Sequence, residues 1–218
     1  MAQIAIVGGH GKIALLLAEL LSSKDHVPLS LVRNPAYCEE LERLGATVRI
    51  LDIERASVDD FAAAFAGSDA IVFAAGGGPD GNIERKQTVD LGGSLKSIEG
   101  AKLAGIRRFV QISAIGVDNP VPGDASDVWK AYVEAKREAD AALRGSDLDW
   151  TIIRPGALTD DEPTGKVLLA AETARASIPR ADVATIIAAV LDDHRTVNKQ
   201  WEAVSGDMAI DQAINAAL

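Results

Sequence analysis

Short apolar runs alternate with segments of helical periodicity through the first 155 residues. The predicted strands are Ile4–Val7, Val27–Val32, Ala46–Leu51, Ala70–Phe73, Arg108–Ile112 and Trp150–Ile153. The predicted helices are Ile13–Leu21, Pro35–Leu44, Val58–Phe65, Glu84–Leu103 and Asp127–Leu143, with Asn34 and Ser57 as N-caps. This β-α alternation predicts an α/β fold, a doubly wound parallel sheet with helices on both faces.

The alternation becomes less regular after Arg154. The predicted elements there are a strand Lys166–Ala171, a helix Arg180–Leu191, a strand Gln200–Val204 and a terminal helix Met208–Leu218. Since no linker interrupts the chain, we expect a single domain over residues 1–218. Residues 155–218 are expected to form a small C-terminal elaboration that caps the carboxyl edge of the sheet on the substrate side.

Composition and charge narrow the classes of function. The 218 residues carry a formal net charge of −10, which argues against a protein that binds the nucleic-acid backbone. Cys38 is the single cysteine, so an intrachain disulfide is impossible. The sequence has no apolar run of about 18 residues and no basic segment leading into an apolar one at its start. We therefore expect a cytoplasmic monomer or homodimer that binds neither nucleic acid nor membrane.

The stretch from Gly8 to Ala14 is the strongest functional signal, because it connects the first strand to the first helix. Gly8 suits a tight turn, Gly11 lets a diphosphate approach the backbone, and Ala14 keeps the helix close to the strand. A strand, a glycine turn and a helix together place main-chain N–H groups against a phosphate. The predicted diphosphate-binding residues of a Rossmann-like fold are Gly8, Gly9, His10, Gly11, Lys12 and Ile13.

The carboxyl ends of the next strands should hold the adenosine part of a dinucleotide. Arg33 follows the second strand, where NAD-binding proteins usually have an acidic residue, and a guanidinium suits the 2′-phosphate of NADP. Asp52 and Ile53 follow the third strand, where Asp52 could bind adenine or serve as a turn carboxylate. The small residues Ala74–Gly76 follow the fourth strand. The sequence therefore favours NADP over NAD.

Three polar residues near the fifth strand suggest catalysis. Ser113 follows that strand, and Tyr132 and Lys136 lie four residues apart, on one face of the next helix. A nearby ammonium is expected to lower the pKa of the Tyr132 phenol, which would make it a general acid or base for interconverting a carbonyl and an alcohol. Ser113 would then hold the substrate oxygen, and Lys136 could also bind the nicotinamide ribose. The three histidines and Cys38 lack metal-ligand spacing, so no metal is expected.

These motifs together resemble the short-chain dehydrogenase/reductase superfamily, in its atypical, small NmrA-like branch of the biliverdin/flavin reductase type. The resemblance is carried by Gly8-x-x-Gly11-x-x-Ala14, Val32–Pro35, Val89-Asp90-x-x-Gly93, Ala104–Val110 with Ser113, Tyr132-x-x-Ala135-Lys136, the 146–156 segment and Ile178–Ala184. It implies an NADP-binding Rossmann fold in which Arg154, Pro155 and Gly156 line the site. His10 stands where the family often has threonine, and Ala14 replaces the third glycine.

Three functions remain open on this basis. The first is an NADP-dependent oxidoreductase that transfers hydride to or from a small carbonyl, quinone or flavin-like compound. The second is a non-catalytic NADP(H)-binding redox sensor, in which the loops 76–81 and 117–127 become ordered when the cofactor binds. The third is an epimerase or dehydratase, which the short chain disfavours.

Overall fold

A computed structural model describes residues 1–78 and 81–218. Its strands are β1 Gln3–Val7, β2 Val27–Val32, β3 Thr47–Ile50, β4 Ala70–Phe73, β5 Arg108–Ile112, β6 Asp149–Pro155, β7 Ala157–Thr159, β8 Lys166–Ala170, β9 Ser177–Pro179, β10 Lys199–Ser205 and β11 Met208–Ala209. Its α-helices are α1 Lys12–Ser23, α2 Cys38–Arg43, α3 Val58–Phe65, α4 Ile83–Arg85, α5 Gly92–Leu103, α6 Asp127–Arg144, α7 Arg180–Asp192 and α8 Ile210–Ala217. Pro79 and Asp80, part of the predicted 76–81 loop, lie outside the described residues.

The main sheet has the order β11-β8-β10-β6-β5-β4-β1-β2-β3 among the described residues. In this order, the neighbouring strands from β10 through β6, β5, β4, β1 and β2 to β3 pair in parallel. Strand β8 pairs antiparallel with β10, and β11 pairs antiparallel with β8. The predicted Rossmann-like α/β fold is confirmed. Because the strand order reverses beside β1, a crevice opens at the carboxyl ends of β1 and β4, where doubly wound sheets bind ligands.

Two apolar cores cover the two faces of the sheet. Side chains alternate along β1, so Ile4 and Ile6 pack on one face while Ala5 and Val7 pack on the other. Helices α1, α7 and α8 cover the face of Ile4 and Ile6, and α3, α5 and α6 cover the opposite face. The two layers fix the carboxyl edge of the sheet, which leaves the connecting loops to form the site.

Local chemistry explains where several elements begin. Ser57 accepts a hydrogen bond from the Asp60 amide, and the Asp60 carboxylate accepts one from the Ser57 amide, so α3 begins with a capping box as its sequence predicts. Asn34 accepts from the Ala36 amide and caps a 3-10 turn over Pro35–Tyr37 that precedes α2. The region predicted as one helix from Glu84 to Leu103 instead contains a π-helical segment, Lys86–Leu91, between α4 and α5.

The chain after residue 155 contributes to both the sheet and its edge. Strand β10 adds to β6 within the main sheet, and α7 packs beside α1. The short strands β7 and β9 form a separate parallel pair that was not predicted. No helix in the described part of the chain combines the length and apolarity that crossing a bilayer requires.

Candidate functional site

The glycine turn after β1 has the geometry of an anion-binding loop. Gly8 has a φ of +80°, and a Cβ there would lie 2.7 Å from the Cα of Ala75, so the position requires glycine. The Gly11 amide donates to the Gly8 carbonyl at 2.9 Å, and α1 begins at the next residue without a side-chain cap or an acidic first turn. The first amides of α1 are therefore left for an external anion, and the turn fits a diphosphate.

The neighbouring residues of the turn have separate roles. Gly9 packs against β2, where a Cβ would lie 2.7 Å from that of Ser30, so it permits close backbone packing and is turned away from the crevice. The His10 ring stacks on Tyr37 with centroids 3.5 Å apart, and its Nε2 lies 2.8 Å from Glu40 Oε2. His10 therefore closes one wall of the crevice through these two contacts.

Lys12 connects the first helix to the C-terminal part of the chain. Its Nζ lies 2.5 Å from Asp160 Oδ2, and Arg180 Nη1 lies 2.6 Å from the other oxygen of the same carboxylate. Hydrogen bonding to Lys12, together with Arg180, lowers the pKa of the exposed Asp160 carboxyl. In this arrangement Lys12 is paired with the Asp160 carboxylate at the protein surface. A diphosphate would have to compete with Asp160 for the Lys12 ammonium.

A crevice runs along the carboxyl ends of β1, β2, β3 and β4. Its lining includes these predicted cofactor-binding residues: Gly8, His10, Gly11, Arg33, Asp52, Ile53, Ala74, Ala75 and Gly76. The Asp52 carboxylate accepts a hydrogen bond from the Glu54 amide at 3.0 Å, so it also stabilises the turn that follows β3. The fold thus brings residues from four separate loops to one site.

Glu54 is a residue of this crevice that the sequence did not single out. Its carboxylate lies 3.4 Å from Arg33 Nη1 and 3.8 Å from Arg85 Nε, and Thr88 Oγ1 donates to it at 2.7 Å. Lys96 donates to the carbonyls of the same turn, which holds Glu54 in place. Arg33, the predicted ligand for a 2′-phosphate, therefore already has an acidic neighbour.

A second cavity, of about 390 Å³, lies next to the first at the ends of β4 and β5. Ser113, Tyr132 and Lys136 line it together, along with Ile13, Ala74–Gly78, Lys86, Asp90, Ile112 and Leu158. Pro155 lies instead in an adjoining cavity under β7, which shares Tyr132 and Leu158 with this one. Tyr132 therefore stands between the cavity beside the glycine turn and a separate space toward the C-terminal segment.

Lys136 is buried and paired with an equally buried carboxylate. Its Nζ lies 3.2 Å from Asp90 Oδ1 and donates to the Ile112 carbonyl at 3.3 Å, while Asp90 Oδ2 accepts from the Gly77 amide at 2.8 Å. Burial is the largest single influence and lowers the pKa of Lys136, but Asp90, Tyr132 and Asp140 together outweigh it, so the pKa is raised overall. Lys136 is therefore a permanent ammonium, whose Nζ lies 6.0 Å from the centre of the Tyr132 ring.

The predicted lowering of the pKa of Tyr132 is wrong in this structure. Burial is the largest influence and raises this pKa, and the carboxylates of Asp90 and Asp140 raise it further. Lys136 acts in the predicted direction but does not outweigh burial. Tyr132 is therefore a neutral phenol near pH 7, suited to donate a proton.

Ser113 is engaged with Asp140, a fully buried carboxylate one turn beyond Lys136 on α6. Asp140 accepts hydrogen bonds from Ser113 Oγ at 2.8 Å, from Gln111 Nε2 at 2.7 Å and from Arg154 Nε at 2.8 Å. Since an ionised carboxylate only accepts, the hydroxyl hydrogen of Ser113 is used within the protein. Its lone pairs remain for an N–H or O–H donor, so a substrate oxygen that Ser113 holds in this arrangement would have to carry a hydrogen.

Within residues 1–78 and 81–218, no grouping of three His, Cys, Asp or Glu side chains is placed to hold a metal ion.

The family model for NAD(P)H-binding proteins matches residues 8–194. The chain belongs to this NAD(P)H-binding family. A relative from Bacillus subtilis, described as the uncharacterized sugar epimerase YhfK, is 36% identical over 97% of this chain and 98% of its own. The predicted resemblance is confirmed at the level of an NAD(P)-binding family.

Two solved structures extend the comparison. One, from Bacillus halodurans, is described as a putative NAD-dependent epimerase/dehydratase. It is 37% identical to this chain with a TM-score of 0.92, and the match covers 99% of this chain and 100% of that one. The other, described as the oxidoreductase ylbE from Lactococcus lactis, is 29% identical with a TM-score of 0.88 over 98% of this chain and 95% of its own. Both folds match over nearly their full length.

Proposed function

We propose that this protein is an NADPH-dependent reductase of small carbonyl, quinone or flavin-like compounds. The observation that carries the proposal is the position of Tyr132. Its neutral phenol lies between the cavity beside the glycine turn and the adjoining cavity under β7, next to the permanent charge of Lys136. A proton donor at such a boundary can serve a reaction between a cofactor on one side and a substrate on the other.

The residues present fit a nicotinamide dinucleotide. The glycine turn from Gly8 to Gly11 and the first amides of α1 would hold the diphosphate, Asp52 and Ile53 would border adenine, and Arg33 would bind a 2′-phosphate. When bound, the dinucleotide supplies a hydride. We propose NADP over NAD because Arg33 occupies the position where an acidic residue would bind the 2′-hydroxyl.

The chain's own groups would manage the proton and the charge. Tyr132 would donate its phenolic proton to the oxygen that gains negative charge, and its raised pKa keeps that proton available near pH 7. The Lys136 ammonium, held by Asp90, would stabilise the phenolate left behind. The Ser113 lone pairs would accept a hydrogen bond from a substrate N–H or O–H group.

The test is NADPH oxidation, followed by absorbance, against a panel of aldehydes, ketones and quinones. We expect turnover with at least one class, and a fall of about 10²- to 10⁴-fold with a carbonyl substrate in Tyr132→Phe. Thermal melting and NADPH affinity should stay unchanged in that variant, which separates chemistry from folding. Unchanged turnover in Tyr132→Phe would remove the proposed role of the phenol.

An epimerase is the second candidate, because two relatives carry that description. An epimerase returns its hydride to the substrate and consumes no NADPH. Conversion of a nucleotide sugar into its epimer, with no NADPH oxidation by any compound of the panel, would favour it over the reductase.

A further inference from the structure

Lys86 is a buried lysine with no carboxylate partner in the described part of the chain. Only 6% of its surface is exposed, and its Nζ donates to the Gly78 carbonyl at 2.5 Å and lies 5.8 Å from the centre of the Tyr132 ring. No acidic group of residues 1–78 and 81–218 lies within ion-pair distance of it. Burying an ammonium without a countercharge is costly, so an anionic ligand that supplied the countercharge would bind favourably there.

The contrast with Lys136 in the same cavity supports this interpretation. Lys136 is equally buried, but Asp90 neutralises it and the Ile112 carbonyl accepts one of its hydrogens. An ammonium has three N–H donors, and among residues 1–78 and 81–218 the Lys86 ammonium makes one hydrogen bond, to the Gly78 carbonyl. Within these residues, Lys86 therefore brings an uncompensated charge and spare donors into the cavity that holds Tyr132.

The adjoining cavity continues this positive character. Arg175 and Arg180 line it, and it joins the cavity of Lys86 at Tyr132 and Leu158. Of the described residues lining the two cavities, four are cationic and one, Asp90, is anionic. Lys136 is paired with Asp90 and Arg180 with Asp160, which leaves Lys86 and Arg175 as the lining cations without a carboxylate at ion-pair distance in the described part of the chain. The whole chain has a formal net charge of −10, so the charge of this lining is opposite in sign to that of the protein as a whole. A local excess of cations in an acidic protein favours an anionic ligand at this place.

From these observations we infer that the substrate carries a carboxylate and that Lys86 is the residue that binds it. The inference rests on the proposed function and specifies its substrate class, a carboxylate-bearing carbonyl, quinone or flavin-like compound. The Lys86 ammonium would pair with the carboxylate beside Tyr132, which orients the reacting group toward the phenol. Lys86 is a specificity-determining residue in this inference and takes no part in the proton transfer.

Calorimetry tests the inference without turnover. Acetate and benzoate are compared with their neutral amides, acetamide and benzamide, on the free protein and on the protein saturated with NADP. We expect at least one carboxylate to bind about tenfold more tightly than its amide, as a charge-assisted pair requires. In Lys86→Met this preference should fall to about twofold or less, while Lys86→Arg should keep most of it.

The matched control is Lys130→Met, which removes the same charge from α6 at an exposed position paired with Asp127. It should keep the carboxylate preference of the natural chain. Lys86→Gln, which can still donate to Gly78, replaces Lys86→Met if the latter melts at a much lower temperature.

Three results would overturn the inference. The first is that neither carboxylate binds more tightly than its amide, and the second is that the preference survives without the Lys86 charge. The third is that saturation with NADP abolishes the preference, which would assign Lys86 to the cofactor. A carboxylate preference without any NADPH oxidation would leave this inference standing and remove the proposed reductase activity, so the two are separable.

Discussion

Cofactor selectivity gives the sharpest quantitative prediction. Arg33→Ala should weaken NADPH binding about tenfold and leave NADH binding within about twofold. More than half of the Arg33 side chain is exposed, so we use a dielectric close to that of water, in which two unit charges about 4 Å apart interact by about 1 kcal/mol. A 2′-phosphate carries about −1.5 to −2 charges near pH 7. The expected loss is about 1.5 kcal/mol, or about tenfold in Kd.

Glu54 provides a second perturbation at the same place. Its carboxylate lies 3.4 Å from Arg33 Nη1, where it would repel a 2′-phosphate bound to the guanidinium. Glu54→Gln removes that charge, and its amide oxygen can still accept from Thr88. We expect NADPH to bind about threefold to tenfold more tightly in this variant, because the repulsion falls by about 1 kcal/mol, with little change for NADH.

Fluorescence titration of NADPH and NADH into the natural chain and both variants measures these effects. Raising the salt concentration should reduce the NADPH preference, since the groups are exposed. Arg43→Ala, which removes an exposed guanidinium paired with Glu39 on α2, is the matched control and should leave both affinities unchanged. An equal loss of NADPH and NADH in Arg33→Ala, or tighter NADH binding by the natural chain, would refute the reasoning.

Three further predictions follow from the site. Gly8→Ala should lower the free energy of unfolding by about 1–3 kcal/mol, as measured by denaturant titration, because the φ of +80° and the contact with Ala75 both oppose a Cβ; equal stability would contradict this. The rate of carbonyl reduction should stay level from pH 7 and fall only above about pH 10, because the raised pKa keeps Tyr132 protonated; a fall near pH 8 would contradict it. Asp140→Asn should destabilise the chain by about 1–3 kcal/mol in thermal melts, because the buried Arg154 guanidinium loses the charge of Asp140 and keeps that of Asp118. Asp127→Asn, at an exposed position of the same helix, should leave the stability unchanged.

The sequence was sufficient to predict the structure wherever one short segment determines it. The strand, glycine turn and helix from residues 3 to 23 follow from an apolar run, a glycine that tolerates positive φ and a helical repeat. The bounds of α3 were predicted correctly because Ser57 and Asp60 form its capping box locally. Arg33, Asp52 and Ala74–Gly76 were predicted to share one edge, and they line one crevice, because parallel strands end together.

The remaining features depend on contacts between distant segments. Asp140 looked like an ordinary polar helix position, and its partners Gln111 and Arg154 come from two different strands. The pKa of Tyr132 depends on how deeply α6 packs, which spacing along the chain does not determine. Glu54 could have been noticed as an acidic residue soon after the third strand, but only the folded structure shows that it lies close to Arg33. The short strands β7 and β9 have three residues each, too few for a periodic pattern.

The π-helical segment that begins at Lys86 has an evolutionary consequence. A π turn accommodates one residue more than an α turn, so deleting one residue between 86 and 91 would let the segment rewind as ordinary helix. Successive residues of an α-helix are about 100° apart, and Lys86 would rotate by that amount around the axis. A single in-frame codon loss could thus change which ligands the pocket accepts while the sheet and the two cores persist.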